Sequence, residues 1–292
     1  MGKKLGMIGL GKMGLPLAQK MMSDGHELYG YDVDPERMKM LEENGGMPLE
    51  SAKKLAEVCD ITFSILLKPD HIEENTLGPN GIVQAKKDGL IHVEMSTMPP
   101  DFQINLAGKL LGHGIEMLDA PISGSHNKVD DRVITFMVGG KADVFEQIRP
   151  IFEPLAKTTT HIGDVGSGAT MKVVTNLYVN SVTALLAEMT LLGERAGLSH
   201  DMMSECLNAG SVRGAMWDSM RPRFFERDFS PKGAVEIYAK DLGIAIDLAK
   251  EHDLDLQVAP AARKMFQRAE AAGWGKDDAS RVLEVYEGKD RG

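Results

Sequence analysis

Lys172 and Asn176 are the two residues whose types and spacing point most directly to chemistry. They stand four apart in a largely apolar run that opens Gly166-Ser167-Gly168-Ala169-Thr170-Met171. On a helix, positions i and i+4 share a face, so an ammonium and a carboxamide point the same way one turn apart. A lysine held away from water is suited to moving a proton on or off an oxygen, because desolvation disfavours its charged form. An asparagine beside it can donate to the same oxygen without taking up the proton. The plain alternative is a lysine snorkelling from a helix N-terminus. Against it, a cation at that end of a helix is electrostatically unfavourable, and the flanking residues are apolar.

Proton transfer of this kind needs a hydride carrier to match it, and the N-terminus supplies the pattern for one. Gly9-Leu10-Gly11-Lys12-Met13-Gly14 fits G-x-G-x-x-G directly after the apolar run Leu5-Gly6-Met7-Ile8 and leads into helical periodicity through Leu17, Ala18, Met21 and Met22. The glycines permit a tight turn and a close approach of backbone N–H groups to a pyrophosphate lying on the helix N-terminus. The next strand, Glu27-Leu28-Tyr29-Gly30-Tyr31-Asp32, ends in an acid eighteen residues past Gly14. A carboxylate there accepts from the adenosine ribose hydroxyls and repels a 2′-phosphate. Asp32 therefore favours NAD over NADP. Arg37 is expected in the following helix, facing solvent.

The elements that must position these groups follow in alternation. Ser51 can cap a helix through Ala52 to Val58, and Ile61 to Leu67 reads as a buried strand. Leu90 to Glu94, Glu116 to Ala120 and Val133 to Val138 read as further strands, with a helix through Leu111 between the first two. Ligands of such sheets lie outside the carboxyl ends of the strands. That singles out Leu67 and Lys68, Ser96 and Thr97, and Ser123 and Gly124, each of which taken alone reads as an ordinary polar loop.

After Gly163 the strand pattern stops. Met171 to Ala196 is apolar on most faces, which predicts a long central helix buried inside its domain or in a subunit contact, and helices are expected near His200 to Ala209, Gly233 to His252, Ala259 to Ala272 and Asp277 to Tyr286. The fold class is α/β, with a doubly wound, mostly parallel sheet domain over residues 1–163. An all-helical domain over residues 164–292 follows, for substrate and for oligomer contacts. A net charge of -10 argues against nucleic acid or an anionic membrane as the main partner. No run of apolar residues is long enough to span a bilayer. Cys59 and Cys206 have no metal-ligand spacing, and no metal is expected. Both read as reduced core thiols, which suits the cytoplasm.

Four segments resemble those of the β-hydroxyacid dehydrogenase family, which includes 3-hydroxyisobutyrate dehydrogenase and tartronate semialdehyde reductase. They are Gly9 to Gly14, Asp119-Ala120-Pro121-Ile122-Ser123-Gly124, Gly166-Ser167-Gly168 with Lys172 and Asn176, and Lys240-Asp241-Leu242. Their order and separation match over essentially the whole chain. The resemblance implies a Rossmann domain, a helical domain and an active site in the cleft between them. It implies that Lys172 is catalytic, that Ser123, Gly124 and Asn176 hold the substrate, and that Lys240 lies near the nicotinamide. Ser96-Thr97 resembles the segment that contacts the nicotinamide ribose. The implied activity is NAD-dependent interconversion of a small anionic hydroxyacid and its aldehyde or semialdehyde; the apolar helical half, read by itself, predicts a homodimer or homotetramer.

The departures bear on the substrate. Ser125 and His126 follow Ser123-Gly124 where the family has a second glycine, and Gly233, preceded by Lys232, replaces a cleft-lining phenylalanine. A roomier or more polar pocket is expected, with Lys232, Arg213 and His126 as candidate anion contacts or else as solvated surface charge. Two readings from other classes are a non-catalytic dinucleotide-binding scaffold and an imine reductase on the same architecture; Lys172 argues against both. Decarboxylation of the 6-phosphogluconate type is disfavoured by the short helical half. On Asp32, the Michaelis constant for NADH should lie below that for NADPH, and a clear preference for NADPH would refute the assignment.

Overall fold

Short apolar runs alternating with amphipathic ones build the first of two units into which the chain divides, Met1–Lys172 and Val173–Gly292. The structure is a computed structural model and describes residues 2–124 and 126–290, without the side chains of His126 and Asn127. The first unit begins β1 (Lys4–Ile8), α1 (Gly14–Ser23), β2 (Glu27–Tyr31), α2 (Pro35–Glu43), β3 (Met47–Pro48), α3 (Ala52–Val58), β4 (Ile61–Ser64) and α4 (Pro69–Thr76). It continues through β5 (Ile91–Glu94), α5 (Pro100–Leu111), β6 (Glu116–Asp119), β7 (Ile122–Ser123), α6 (His126–Asp130), β8 (Ile134–Gly139), α7 (Ala142–Phe152) and β9 (Ala156–Gly163). The long α8 (Ser167–Arg195) follows, then α9 (His200–Ala209), α10 (Ala215–Glu226), α11 (Val235–Glu251), α12 (Val258–Ala269) and α13 (Val282–Tyr286).

Local chemistry explains several boundaries. The Ser51 hydroxyl accepts the Lys54 N–H at 3.3 Å and caps α3, while Asp34 caps α2 ahead of Pro35. Among the described residues nine strands form one sheet in the order β3-β2-β1-β4-β5-β6-β8-β7, with β9 beside β8. Pairing is parallel from β3 to β6, antiparallel where β8 meets β6 and β7, and parallel again between β8 and β9. Ile8, Ser64, Glu94 and Asp119 are register partners, so the last residues of β1, β4, β5 and β6 stand in one row at the carboxyl edge. Phe63, Phe136 and Phe152 pack in the core on one side of the sheet.

The structure departs from the sequence reading at several elements. β4 stops at Ser64, short of Leu67. The strand β9 is Ala-Lys-Thr-Thr-Thr-His-Ile-Gly and half exposed, so no apolar pattern announces it; its pairing with β8 makes it a strand. α8 is not buried all round, because Val174, Tyr178, Leu185 and Leu192 are 55–72% exposed. The polar residues Asn176, Asn180, Thr183 and Thr190 are buried along with Val173, Ala184, Leu186, Ala187 and Leu191. The threonine hydroxyls donate to backbone carbonyls one turn back, which satisfies them inside the unit. Cys59 is buried, and burial pushes its thiol up to about 12, whereas Cys206 is exposed and is no core residue.

The start of α8 is fixed by one buried carboxylate. Asp119 Oδ1 accepts the Gly166 N–H at 2.8 Å and Oδ2 accepts the Ala169 N–H at 2.7 Å, so the acid ending β6 caps the helix. Burial pushes the Asp119 carboxyl above the ordinary aspartate range, and the backbone N–H groups oppose that shift. A Cβ at Gly168 would lie 2.4 Å from the Met137 carbonyl and 2.8 Å from that of Asp119, so only glycine lets the first turn sit this close. Gly168→Ala should cost about 1–3 kcal/mol by overpacking. Thermal unfolding should shift down by several degrees, and an unchanged midpoint would contradict this packing.

Candidate active site

The glycine turn after β1 is built for close approach. Gly9 has φ of 89°, and a Cβ at Gly14 would meet the Gly9 carbonyl at 1.9 Å. A Cβ on Gly11 would meet nothing within 4 Å, and no side chain caps α1. The N-terminus of α1 therefore presents backbone N–H groups toward open space, as a pyrophosphate requires. The Asp32 carboxylate anchors this turn, accepting the Leu10 N–H at 2.7 Å through Oδ2 and the Asp34 N–H at 2.9 Å through Oδ1.

The strand order reverses between β1 and β4, and a cavity of about 170 Å³ opens at that point. Ile8, Gly9, Tyr31, Asp32, Val33 and Leu66 line it, together with His71, Glu74 and Asn75 from α4. Apolar walls with a few polar groups suit an adenosine, and two carboxylates, Asp32 and Glu74, oppose a 2′-phosphate. These residues fit NAD. Sequence reading found Asp32 and missed the three α4 residues; the clue was a helix-starting proline, Pro69, directly past a strand end. Leu66 lines the cavity, while Leu67 is 71% exposed and Lys68, also exposed, precedes α4. Ser96 is buried, with its Oγ accepting the Leu66 N–H at 2.7 Å, and Thr97 beside it is half-buried.

Ser123 ends β7 half-buried, and Gly124 follows exposed with φ of 133°. Lys172 lies half-buried in the second turn of α8, the helix whose first turn Asp119 holds. The glycine turn, Asp32, Ser96, Thr97, Ser123, Gly124 and Lys172 thus all belong to the first unit, on strand ends or on elements tied to them.

The helical unit carries the other candidates. Asn176 is 8% exposed, and its Nδ2 donates to Asp241 Oδ2 at 2.7 Å, which leaves the second amide hydrogen for another acceptor. Asn180 Nδ2 donates to the Tyr238 carbonyl at 3.5 Å, so this side of α8 faces α11. Lys240 is exposed, with Nζ 3.2 Å from Asp241 Oδ1. Asp241 was visible in sequence only as the neighbour of Lys240, and its contact with Asn176 needs the two helices packed. Lys232 and Arg213 are exposed. The N–H groups of Lys232 and Gly233 both donate to Asp278 Oδ2 at 3.0 Å, and Asp278 is itself held by the buried Arg223. A Cβ at Gly233 would lie 3.1 Å from the Tyr238 ring. The Tyr238 ring therefore packs against the Gly233 backbone within the helical unit. The side chain of His126 lies outside the described residues.

Known proteins share this architecture and sequence. Residues 4–163 match the family model described as the NAD binding domain of 6-phosphogluconate dehydrogenase. Residues 166–286 match the one described as NAD-binding of NADP-dependent 3-hydroxyisobutyrate dehydrogenase. The chain is 33% identical to 2-(hydroxymethyl)glutarate dehydrogenase of Eubacterium barkeri over 97% of this chain and 95% of that protein. It is 29% identical to L-threonate dehydrogenase of Cupriavidus necator over 99% and 97% of the two chains. Among solved structures, 3-hydroxyisobutyrate dehydrogenase from Salmonella typhimurium matches with a TM-score of 0.88 at 28% identity, over 97% and 99% of the two chains. With the dinucleotide turn, the strand-end segments and the lysine-bearing helix in the family's order, this chain belongs to the β-hydroxyacid dehydrogenase family, NAD-binding oxidoreductases that act on CH–OH donors.

Proposed function

We propose that this chain interconverts a small anionic hydroxyacid and its aldehyde or semialdehyde, with Lys172 as the acid–base residue. The observation that carries the reading is the tether of the lysine-bearing helix. Asp119, at the strand end next to β5, bonds the first turn of α8, and Lys172 follows one turn later. An acid–base group needs this kind of rigid support, since small displacements from productive geometry cost rate steeply. When bound, the nicotinamide takes the hydride from the carbinol carbon in oxidation and returns it in reduction. Lys172 Nζ accepts the hydroxyl proton as the carbonyl forms, and returns it to the alkoxide in the opposite direction. The second amide hydrogen of Asn176 orients the reacting oxygen, while the Ser123 hydroxyl and the Gly124 N–H receive the substrate carboxylate.

The substrate is longer or more polar than 3-hydroxyisobutyrate. Curated relatives named for a glutarate and for threonate support a second carboxylate or further hydroxyls, and exposed Lys232 and Arg213 offer cations for them. The exposed apolar residues of α8 support a homo-oligomer. Lys172→Ala should lower turnover roughly 10²–10⁴-fold, the usual contribution of a positioned acid–base group. NADH binding, followed by fluorescence titration, should survive. A mutant that keeps most of its activity would remove Lys172 from the mechanism. In an NADH-absorbance screen of small hydroxyacids, dicarboxylic and polyhydroxy acids should outperform 3-hydroxyisobutyrate; the reverse order would overturn the substrate class.

A further inference from the structure

Four polar side chains lie at 0–1% exposure between β4 and β5, where a sheet covered on both faces would ordinarily hold valine or isoleucine. Thr62 and His92 are register partners, as are Ser64 and Glu94. His92 Nδ1 is 3.0 Å from Thr62 Oγ1, and His92 Nε2 is 3.1 Å from Ser64 Oγ. The Ser64 hydroxyl donates to Glu94 Oε2. Glu94 Oε1 accepts the Ser96 N–H at 2.7 Å, and Ser96 Oγ accepts the Leu66 N–H at 2.7 Å. A neutral imidazole fits in one direction only. Thr62 donates to Nδ1, Nε2–H donates to Ser64, and Ser64 donates to the carboxylate.

Each buried polar group costs free energy unless fully bonded, so such a chain weakens the sheet interior relative to an apolar one. What it secures is at its open end. The carboxylate grips the first N–H of the Ser96-Thr97 turn, and the Ser96 hydroxyl of that turn accepts the Leu66 N–H. We propose that Glu94, braced by Ser64 and His92, is a positioning residue that sets the Ser96-Thr97 turn for the nicotinamide ribose of the bound dinucleotide. The inference rests on the reading that this turn seats the nicotinamide half.

Affinity for NADH compared with affinity for ADP, which lacks the nicotinamide riboside, separates positioning from general damage. Glu94→Ala should weaken NADH about tenfold, the value of one lost hydrogen bond to a charged group, while ADP changes less than about twofold. Glu94→Gln should hold NADH within about threefold, because the amide oxygen still accepts the Ser96 N–H and Ser64 can reverse. The imidazole ¹⁵N shifts of His92 should then report a move of the proton from Nε2 to Nδ1. If Glu94→Ala does not fold, Ser64→Ala, which removes one bond to the carboxylate, should weaken NADH and spare ADP. Wild-type NADH affinity in both Glu94→Ala and Ser64→Ala, equal loss of both ligands, or a glutamine variant as weak as the alanine one would overturn the proposal. Thr97→Ala tests the underlying seat by itself: unchanged NADH affinity there removes the seat, whatever Glu94 does.

Discussion

The Asp119 carboxylate is the interaction on which the site depends. It ends β6, is fully buried, and bonds two N–H groups of the first turn of α8. Desolvation works against its charge, while the positive end of the helix and the backbone donors favour it. Such a contact is strong because the donors are fixed and water is absent. It also sets distance and direction, since Gly168 allows the helix to touch the β6 and β8 backbones. A lysine one turn further on inherits that placement, whereas a long flexible side chain on a loose loop would not.

The same row of strand ends holds a second buried acid with a related task. Glu94 bonds the turn after its own strand, and Asp119 bonds the helix that starts beyond β9. In both cases a carboxyl group inside the sheet is tolerated because hydrogen-bond donors satisfy it. Apolar residues in that row would give the sheet more stability and leave the loops unanchored. The placement of polar residues here follows the needs of a ligand edge, in keeping with sites that depart from local rules where function requires it.

In the helical unit α8 buries asparagines and threonines beside Leu186 and Leu191. Its carboxamides face α11, with Asn176 on Asp241 and Asn180 on the Tyr238 carbonyl, and several large apolar side chains point outward. The buried Arg223–Asp278 pair fixes the backbone of Lys232 and Gly233 in the same unit, which leaves the Lys232 side chain exposed.

Motifs with local physical causes were legible in the sequence: the glycine turn, the acid after β2, the Ser51 cap, and a lysine and an asparagine one turn apart. Each depends on backbone conformation or spacing within a few residues, which composition fixes directly. Pairing decided the rest. β9 is a strand only because β8 lies beside it, and α8 can bury asparagines beside its apolar residues because α11 supplies their partners. Thr62, Ser64, His92 and Glu94 recur at strand period in runs that read simply as buried strands. That alternation was the signal, but which residues meet is a matter of register between strands thirty residues apart. Asp119 was recognisable as part of a motif, yet its grip on Gly166 and Ala169 spans about fifty residues of chain, and only the closed sheet brings them together. Sequence determined what each segment could become; tertiary structure determined which buried charges would hold which turns, because desolvated hydrogen bonds have value only where both partners arrive.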